Sequence, residues 1–198
     1  MTNEEKKLYL LDAYALIYRS YYAFINNPRI TTTGINTSAT FGFFNFLLEL
    51  LELEKPTHLA VVFDPEGPTF RHEMYPPYKA QRPPMDPGLK AQFPIIEELL
   101  ESMSIPVVRV TGWEGDDILG TVAARDEALG YRTLLVSGDK DVYQLCSELT
   151  HVVTTRKGIT DVAIYGPGEV RERYGVEPSQ FPDFLGLKGD SSDNIPGV

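Results

Sequence analysis

Short apolar runs alternate with longer amphipathic segments along the chain, and this alternation limits it to an α/β fold. The runs predict buried strands at 7–11, 58–63, 105–110 and 132–136. Two shorter strands are expected at 151–155 and 162–165, and helices at 38–54, 93–104 and 118–129. Phe41, Phe44, Leu48 and Leu51 are expected to line one face of the helix at 38–54. The pattern favours a mainly parallel central sheet flanked by helices.

The composition is that of a globular protein. A chain of 198 residues, 42% hydrophobic and 23% charged, is long enough for one domain and part of a second. Cys146 is the only cysteine, so no internal disulfide can form and a reducing compartment is expected. Glutamates interrupt the most apolar stretch, at 38–54, and the N-terminus lacks the apolar core of a signal peptide. We therefore expect a cytoplasmic protein with no membrane partner.

The stretch 112–120 places three carboxylates within four residues, immediately before an apolar run. Glu114 and Asp117 share a face of the predicted helix, and Asp116 lies beside them. Two carboxylates ~4 Å apart repel by about 4 kcal/mol at an effective dielectric near 20. If the cluster faces inward, it needs cations or raised pKa values; on this motif alone, a solvated acidic helix start remains equally open.

Further carboxylates follow the predicted strands. Asp12 ends the first strand, Asp64 follows the second, and Asp139 and Asp141 follow the strand at 132–136. In a parallel sheet, such strand ends meet at one edge, where ligands bind. Many oxygen ligands suit Mg²⁺ or Mn²⁺, whereas zinc calls for His or Cys. No Walker A or G-x-S-x-G motif is present, so the sequence predicts metal-dependent phosphodiester hydrolysis.

Two features bear on a nucleic-acid partner. The net charge of -10 argues against one, unless the acids are concentrated at one site and neutralised by divalent cations. The proline-rich stretch 65–94 is predicted to be a long connection without regular core structure. Its segment 75–82 combines aromatic rings with cations, which suits binding of a nucleic-acid strand. A solvated linker is the alternative interpretation of this stretch.

Six motifs identify the family that the chain resembles. They are LLDAYALIYRSYYAF (10–24), VVFDPEGPTFRHE (61–73), YKAQRPPM (78–85), EGDDILGT (114–121), SGDKD (137–141) and GLKGDSSDNIPGV (186–198). With them the chain resembles the 5′-nuclease domain of bacterial DNA polymerase I, in the flap-endonuclease family. The resemblance implies a PIN-like 5′-nuclease fold, with an arch over the active site and a helix-three-turn-helix beyond it.

The resemblance also implies a set of site residues. The implied metal ligands, for two or more Mg²⁺ or Mn²⁺ ions, are Asp12, Asp64, Glu114, Asp116, Asp117, Asp139, Asp141, Asp190 and Asp193. The implied DNA contacts are Arg19, Arg71, Tyr78, Lys79 and Arg82. Of these, Lys79 and Arg82 are also implied to take part in catalysis by stabilising transition-state charge.

The same resemblance predicts the division of the chain. Residues 1–185 would form the catalytic domain, with the arch at about 65–94, and 186–198 would begin a truncated helix-three-turn-helix that lacks the family's K⁺ site. Ala13 and Tyr14 stand where the family usually has Gly and a small residue. Pro76 and Pro77 fall where a helix is common, so we expect the arch helix to begin only at Tyr78.

The predicted function is cleavage of 5′-flap, nicked or branched DNA and of RNA primer–DNA hybrids, for primer removal and repair. The parent would carry a polymerase domain and act in the bacterial cytoplasm, at the nucleoid. Two alternatives stay open: a PIN-like ribonuclease, which would not need Asp190 and Asp193, and a catalytically idle DNA-junction binding module.

Overall fold

The computed structural model of the chain describes residues 6–157 and 161–198. Within these residues, six strands form one sheet in the order β3-β2-β1-β4-β5-β6. They are β1 (Lys7–Asp12), β2 (His58–Val62), β3 (Val107–Val108), β4 (Arg132–Val136), β5 (Thr150–Lys157) and β6 (Asp161–Tyr165). Only β6 runs antiparallel to its neighbour. The central strand β1 pairs with β2 and β4 and is buried from Leu8 to Leu11, as expected of a parallel strand covered on both faces.

Helices cover both faces of the sheet. They are α1 (Ala13–Ala23), α2 (Ser38–Glu54), α3 (Phe70–Met74), α4 (Pro87–Lys90), α5 (Phe93–Ser102), α6 (Gly115–Ala128), α7 (Pro167–Tyr174) and α8 (Phe181–Lys188). One apolar core contains Leu11 of β1 with residues of α1, α2 and α5. The other core contains Leu10 with residues of α6, α7 and α8. The alternation of side chains along β1 thus divides the interior into two layers.

The α/β architecture and the bounds of α2 agree with the sequence prediction, but of the four residues predicted to line its apolar face only Phe44 and Leu51 pack against the core. Phe41 and Leu48 are 43% and 53% exposed, whereas Phe43, Leu47 and Leu50 are buried. Apolar residues occur on more than one side of this helix, so periodicity alone does not identify the buried side. Packing against α1 and the sheet selects it, and each buried Phe or Leu contributes roughly 1.5–3 kcal/mol.

Two other predictions need correction. The third strand is two residues long, not six, because only Val107 and Val108 pair with β2. The stretch 65–94 contains the short helices α3 and α4, and it buries Tyr78 and Leu89, so it is partly a core element. No helix begins at Tyr78, since residues 76–81 form turns and Lys79 adopts a left-handed backbone with φ of 56°.

The parallel arrangement places the carboxyl ends of β1, β2 and β4 side by side. Leu11 lies opposite Val61 on one side and Val136 on the other, so these strands end nearly level. Polar residues that follow the strands therefore meet at one edge of the sheet. Among the described residues, no helix is long and apolar enough to cross a membrane.

Candidate active site

The carboxyl edge of the sheet opens into a cleft of about 750 Å³. Carboxylates that lie far apart in the sequence line it: Asp12, Asp64, Glu114, Asp116 and Asp139. The predicted convergence of these residues is therefore confirmed. Lys79 and Arg82 line the same cleft, together with Tyr14, Tyr18 and Tyr22 of α1.

Asp12 and Asp139 are held together by a serine. Asp12 ends β1 and caps α1, and its Oδ1 accepts a hydrogen bond from the Ala15 amide at 3.1 Å. Its Oδ2 accepts from the Ser137 hydroxyl at 2.6 Å. The same Ser137 oxygen accepts from the Asp139 amide at 3.0 Å. Ala13 follows the cap without disturbing it, so the unusual Ala13–Tyr14 pair leaves the Asp12 carboxylate in place.

Asp64 and Asp116 meet at the start of α6. The Gly115 amide donates a hydrogen bond to Asp64 Oδ1 at 2.6 Å. A Cβ atom at position 115 would lie 3.0 Å from that oxygen, so glycine allows the two elements to approach closely. Asp116 is the next residue, and the helix N-terminus favours negative charge here without neutralising it.

The carboxylates of Asp12, Asp64, Asp116 and Asp139 lie close enough to repel one another when all four are ionised. Burial, with the charges of Asp64 and Asp139, raises the pKa of Asp12 to about 6. Burial also raises the pKa of Asp64, and burial with the charge of Asp12 raises that of Asp116 well above its ordinary range. Groups with such pKa values are candidates for functional roles, and a bound divalent cation would relieve their repulsion.

A second acidic cluster adjoins the first. One oxygen from each of Asp141, Asp190 and Asp193 lies within 4.8 Å of the others. Asp141 Oδ1 is buried and has no hydrogen-bond partner among the described residues. Burial, with the charges of Asp139, Asp190 and Asp193, raises the pKa of Asp141 to about 6. A buried, unpartnered carboxylate oxygen beside two other carboxylates is a donor set that fits Mg²⁺ or Mn²⁺.

Glu114 differs from these acids because the protein itself compensates its charge. The carboxylate is buried and accepts hydrogen bonds from Thr69 Oγ1 at 3.2 Å, the Tyr78 hydroxyl at 2.9 Å and Lys79 Nζ at 3.0 Å. Burial alone would raise its pKa, but the Lys79 charge and these hydrogen bonds outweigh burial and lower the pKa. Tyr78 thus reaches the interior as a donor to Glu114.

Asp117 is also compensated, by Arg71. The two Arg71 nitrogens Nη1 and Nη2 donate to Asp117 Oδ2 and Oδ1 at 2.7 and 2.8 Å. Burial opposes ionisation, but this bidentate pair lowers the pKa of Asp117. Asp117 Oδ2 also accepts from the Glu114 amide at 3.0 Å, which completes a capping box at the start of α6.

Two further predicted basic residues, Lys79 and Arg82, lie beside Asp193. Arg82 Nη2 lies 2.5 Å from Asp193 Oδ1, and Lys79 Nζ lies 4.0 Å from Asp193 Oδ2. Arg19 is half-buried on α1. The structure thus pairs Arg71, Lys79 and Arg82 with carboxylates.

Sequence reasoning missed four residues of this site. Thr69 contacts Glu114, and Ser137 contacts Asp12. Lys140 and Ser192 both contact Asp190. Lys140 and Ser137 could have been found, because both lie within or beside the acidic motif at 139–141. Nothing in the local sequence singles out Thr69, whose partner is 45 residues away.

The fold is that of the PIN-like 5′ nucleases. The structure resembles the bacteriophage T5 D15 flap endonuclease, solved with DNA and metal ions, with a TM-score of 0.72 and 22% sequence identity. The match covers 97% of this chain and 70% of that one. The chain belongs to the family of 5′-3′ exonuclease N-terminal, resolvase-like domains, whose sequence model matches residues 7–175. It is therefore classed among the nucleases, which are hydrolases.

Curated relatives agree with this family. The chain is 45% identical over 196 residues to DNA polymerase I of Bacillus caldotenax and 46% identical over 197 residues to that of Bacillus subtilis. Each match covers 98% of this chain and 22% of the relative. The chain thus spans about a fifth of the length of these relatives.

Proposed function

We infer that this chain is the catalytic domain of a metal-dependent 5′ nuclease that hydrolyses phosphodiester bonds in branched or 5′-flapped DNA. The observation that carries the proposal is the convergence of Asp12, Asp64, Asp116 and Asp139 in one cleft, with raised pKa values for the first three. The T5 flap endonuclease of the same fold was solved with DNA and metal ions, which supports both the substrate class and the cofactor.

The chain's own carboxylates would hold the cofactor in two neighbouring groups. Asp12, Asp64, Glu114, Asp116 and Asp139 line the cleft, and Asp141, Asp190 and Asp193 adjoin it. Bound Mg²⁺ or Mn²⁺, in two or more ions, would supply the Lewis acid that polarises water and the scissile phosphate. Asp117 would act indirectly, because its bidentate pair holds Arg71 beside Glu114.

The basic and aromatic residues of the cleft would bind the nucleic acid. Lys79 and Arg82 line the cleft beside the carboxylates, where they can contact a phosphate close to the scissile bond. Arg19, Arg71 and Tyr78 would orient the strand from the surrounding helices and turns. Because several cations neutralise phosphates in such an arrangement, we expect DNA affinity to fall with rising salt.

The wider context belongs to the same proposal. The relatives are DNA polymerases, so the parent chain would carry a polymerase domain and use this nuclease in RNA primer removal and repair, in the bacterial cytoplasm. We assign residues 1–185 to the catalytic domain, the stretch 65–94 to its arch, and residues 186–198 to the start of a helix-three-turn-helix.

The decisive experiment removes one carboxylate from the cleft. Asp116→Asn should reduce Mg²⁺-dependent cleavage of a 5′-flap DNA by at least about 10²-fold, as expected when a charged group at a reaction centre is lost. The fold should remain, as measured by circular dichroism. Asp126→Asn is the matched control, because Asp126 lies in the last turn of the same helix, outside the cleft, and should leave cleavage unchanged.

The substrate panel separates the competing functions. Preference for single-stranded RNA over flapped DNA would indicate a PIN-like ribonuclease. Binding of flapped DNA without metal-dependent cleavage by the wild type would indicate a junction-binding module. Unchanged turnover in Asp116→Asn would contradict the assignment of the site itself.

A further inference from the structure

A short segment of the stretch 65–94 lies against a loop near residue 190 that carries two aspartates. We call residues 75–82 the strap and residues 190–194 the acidic loop. Neutral hydrogen bonds join them: Lys79 N to Asp193 O (3.1 Å), Gln81 Nε2 to Ser191 O (2.9 Å) and Ser192 O (3.1 Å), Asn194 Nδ2 to Pro77 O (2.8 Å), and Tyr75 OH to Asn194 O (3.3 Å). The strap is thus docked by main-chain and side-chain contacts as well as by charge.

The strap brings its cations onto carboxylates that would hold metal. Arg82 Nη2 lies 2.5 Å from Asp193 Oδ1, and its Nε donates to Ser192 O at 3.0 Å. Lys79 Nζ lies 3.0 Å from Glu114 Oε2 and 4.0 Å from Asp193 Oδ2. Asp193 is therefore shared between the strap and the cluster with Asp141 and Asp190.

The backbone at this contact is left-handed on both sides. Lys79 has φ of 56° and Asn194 has φ of 62°, a conformation that is disfavoured for lysine and more readily adopted by asparagine. The two residues sit at the junction itself, since Lys79 N donates to the acidic loop and Asn194 Nδ2 donates to the strap. Conformations of this kind persist when surrounding contacts hold them, and at Lys79 those contacts include the hydrogen bond to the acidic loop.

We propose that the docked strap and a divalent cation compete for Asp193, so that metal binding at the Asp141–Asp190–Asp193 cluster releases the strap. This inference rests on the proposed function and adds a regulation of the same site. Without metal, Arg82 and Lys79 serve as counterions of the acids. A divalent cation on Asp193 takes over as the counterion and repels the Arg82 and Lys79 side chains. These side chains are then free to contact DNA phosphates.

The first test measures strap docking without using nuclease activity. Hydrogen exchange of the Lys79 amide, which the docked strap protects, is followed by mass spectrometry with and without Mn²⁺. Exchange of the strap should accelerate at least threefold at saturating Mn²⁺. In Asp193→Asn it should already be fast without metal. Strap exchange that slows or stays unchanged when Mn²⁺ saturates the wild type overturns the proposal.

The second test asks whether loosening the strap strengthens metal binding. Gln81→Ala removes two neutral hydrogen bonds to the acidic loop and leaves every charge of the site in place. Competition predicts that Mn²⁺, measured by electron paramagnetic resonance, binds this variant several-fold more tightly than the wild type. Gln180→Ala, at an exposed glutamine outside the cleft, is the matched control and should bind Mn²⁺ like the wild type.

The outcomes distinguish this inference from the function on which it rests. Unchanged or weaker Mn²⁺ binding by folded Gln81→Ala overturns the competition and leaves the nuclease assignment intact. Absence of saturable Mn²⁺ binding by the wild type overturns both. Thermal unfolding of each variant checks that the fold is retained.

Discussion

Two regions of the acidic site contrast in how their charge is balanced. At the floor of the cleft, burial and neighbouring carboxylates raise the pKa values of Asp12, Asp64 and Asp116. At the rim, burial is outweighed by cations and hydrogen-bond donors, and the pKa values of Glu114 and Asp117 are lowered. Protein cations and donors are therefore sufficient to lower the pKa values at the rim, whereas burial and neighbouring carboxylates prevail at the floor, where the proposed divalent cations would compensate the charge.

The contrast is sharpest between two neighbours in the sequence. Asp116 and Asp117 share the first turn of α6, yet the pKa of one is raised and that of the other is lowered. Asp116 faces the other carboxylates, while Asp117 faces the guanidinium of Arg71. Charge balance at these two residues therefore follows side-chain direction and not position along the chain.

The largest effect expected from this contrast is a pH dependence of metal-free stability. The pKa of Asp12 is about 6 in the folded state, above its unfolded value, so its contribution to stability is complete below about pH 4 and is lost as the pH rises through 6. For this buried group the full loss, from about pH 4 to above pH 6, is on the order of 3 kcal/mol, of which roughly half falls above pH 5. Urea unfolding in EDTA should show stability falling between pH 5 and pH 7.5.

The pKa shifts of the rim carboxylates have the opposite sign, so their contribution to stability is lost in a different pH range from that of Asp12. Glu114 and Asp117 have lowered pKa values, so the stability they contribute is present at neutral pH and is lost only below about pH 4.5. Mg²⁺ or Mn²⁺ should restore stability most at pH 7.5, where the floor is ionised. A metal-free protein whose stability does not fall from pH 5 to 7.5 would contradict the distinction between floor and rim.

The next largest effect is expected from breaking the compensation at the rim. Arg71→Gln leaves the Asp117 carboxylate without its bidentate partner, and it should lower the free energy of unfolding by about 1–3 kcal/mol, between the values for exposed and buried pairs. The double variant Arg71→Gln/Asp117→Asn should recover part of that loss, since no unpaired charge remains. Urea unfolding measures both, and equal losses in the single and double variants would show that charge balance is not the cause.

The smallest effect is expected at Ser137, which joins two floor carboxylates. Ser137→Ala removes the donor to Asp12 Oδ2 and the acceptor for the Asp139 amide, and it should cost about 1–2 kcal/mol. Because the Ser137 hydrogen bond lowers the pKa of Asp12, losing this bond should raise that pKa further. The loss of metal-free stability at pH 6–7 should then be larger than in the wild type. Ser102→Ala is the matched control, because Ser102 lies at the exposed end of α5 and its hydroxyl donates only to Glu98 O of the same helix.

Much of the architecture could be predicted from local patterns. The bounds of α2, the positions of β1, β2 and β4, and the acids that follow them are visible in the sequence because parallel strands are continuous apolar runs. The convergence of Asp12, Asp64 and Asp139 followed from the same reasoning, since strand ends in a parallel sheet meet at one edge. The buried side of α2 did not, because apolar residues occur around most of that helix.

The division of the carboxylates into floor and rim required the tertiary structure. The sequence by itself determined that seven carboxylates follow strands or begin a helix, and it predicted that such acids would hold Mg²⁺ or Mn²⁺. It did not determine that Arg71 would reach Asp117, 46 residues away, or that the strap would lie on the acidic loop. Local pattern specifies which face of an element a side chain occupies, but the partner it meets there depends on how distant segments pack, and that partner sets the pKa.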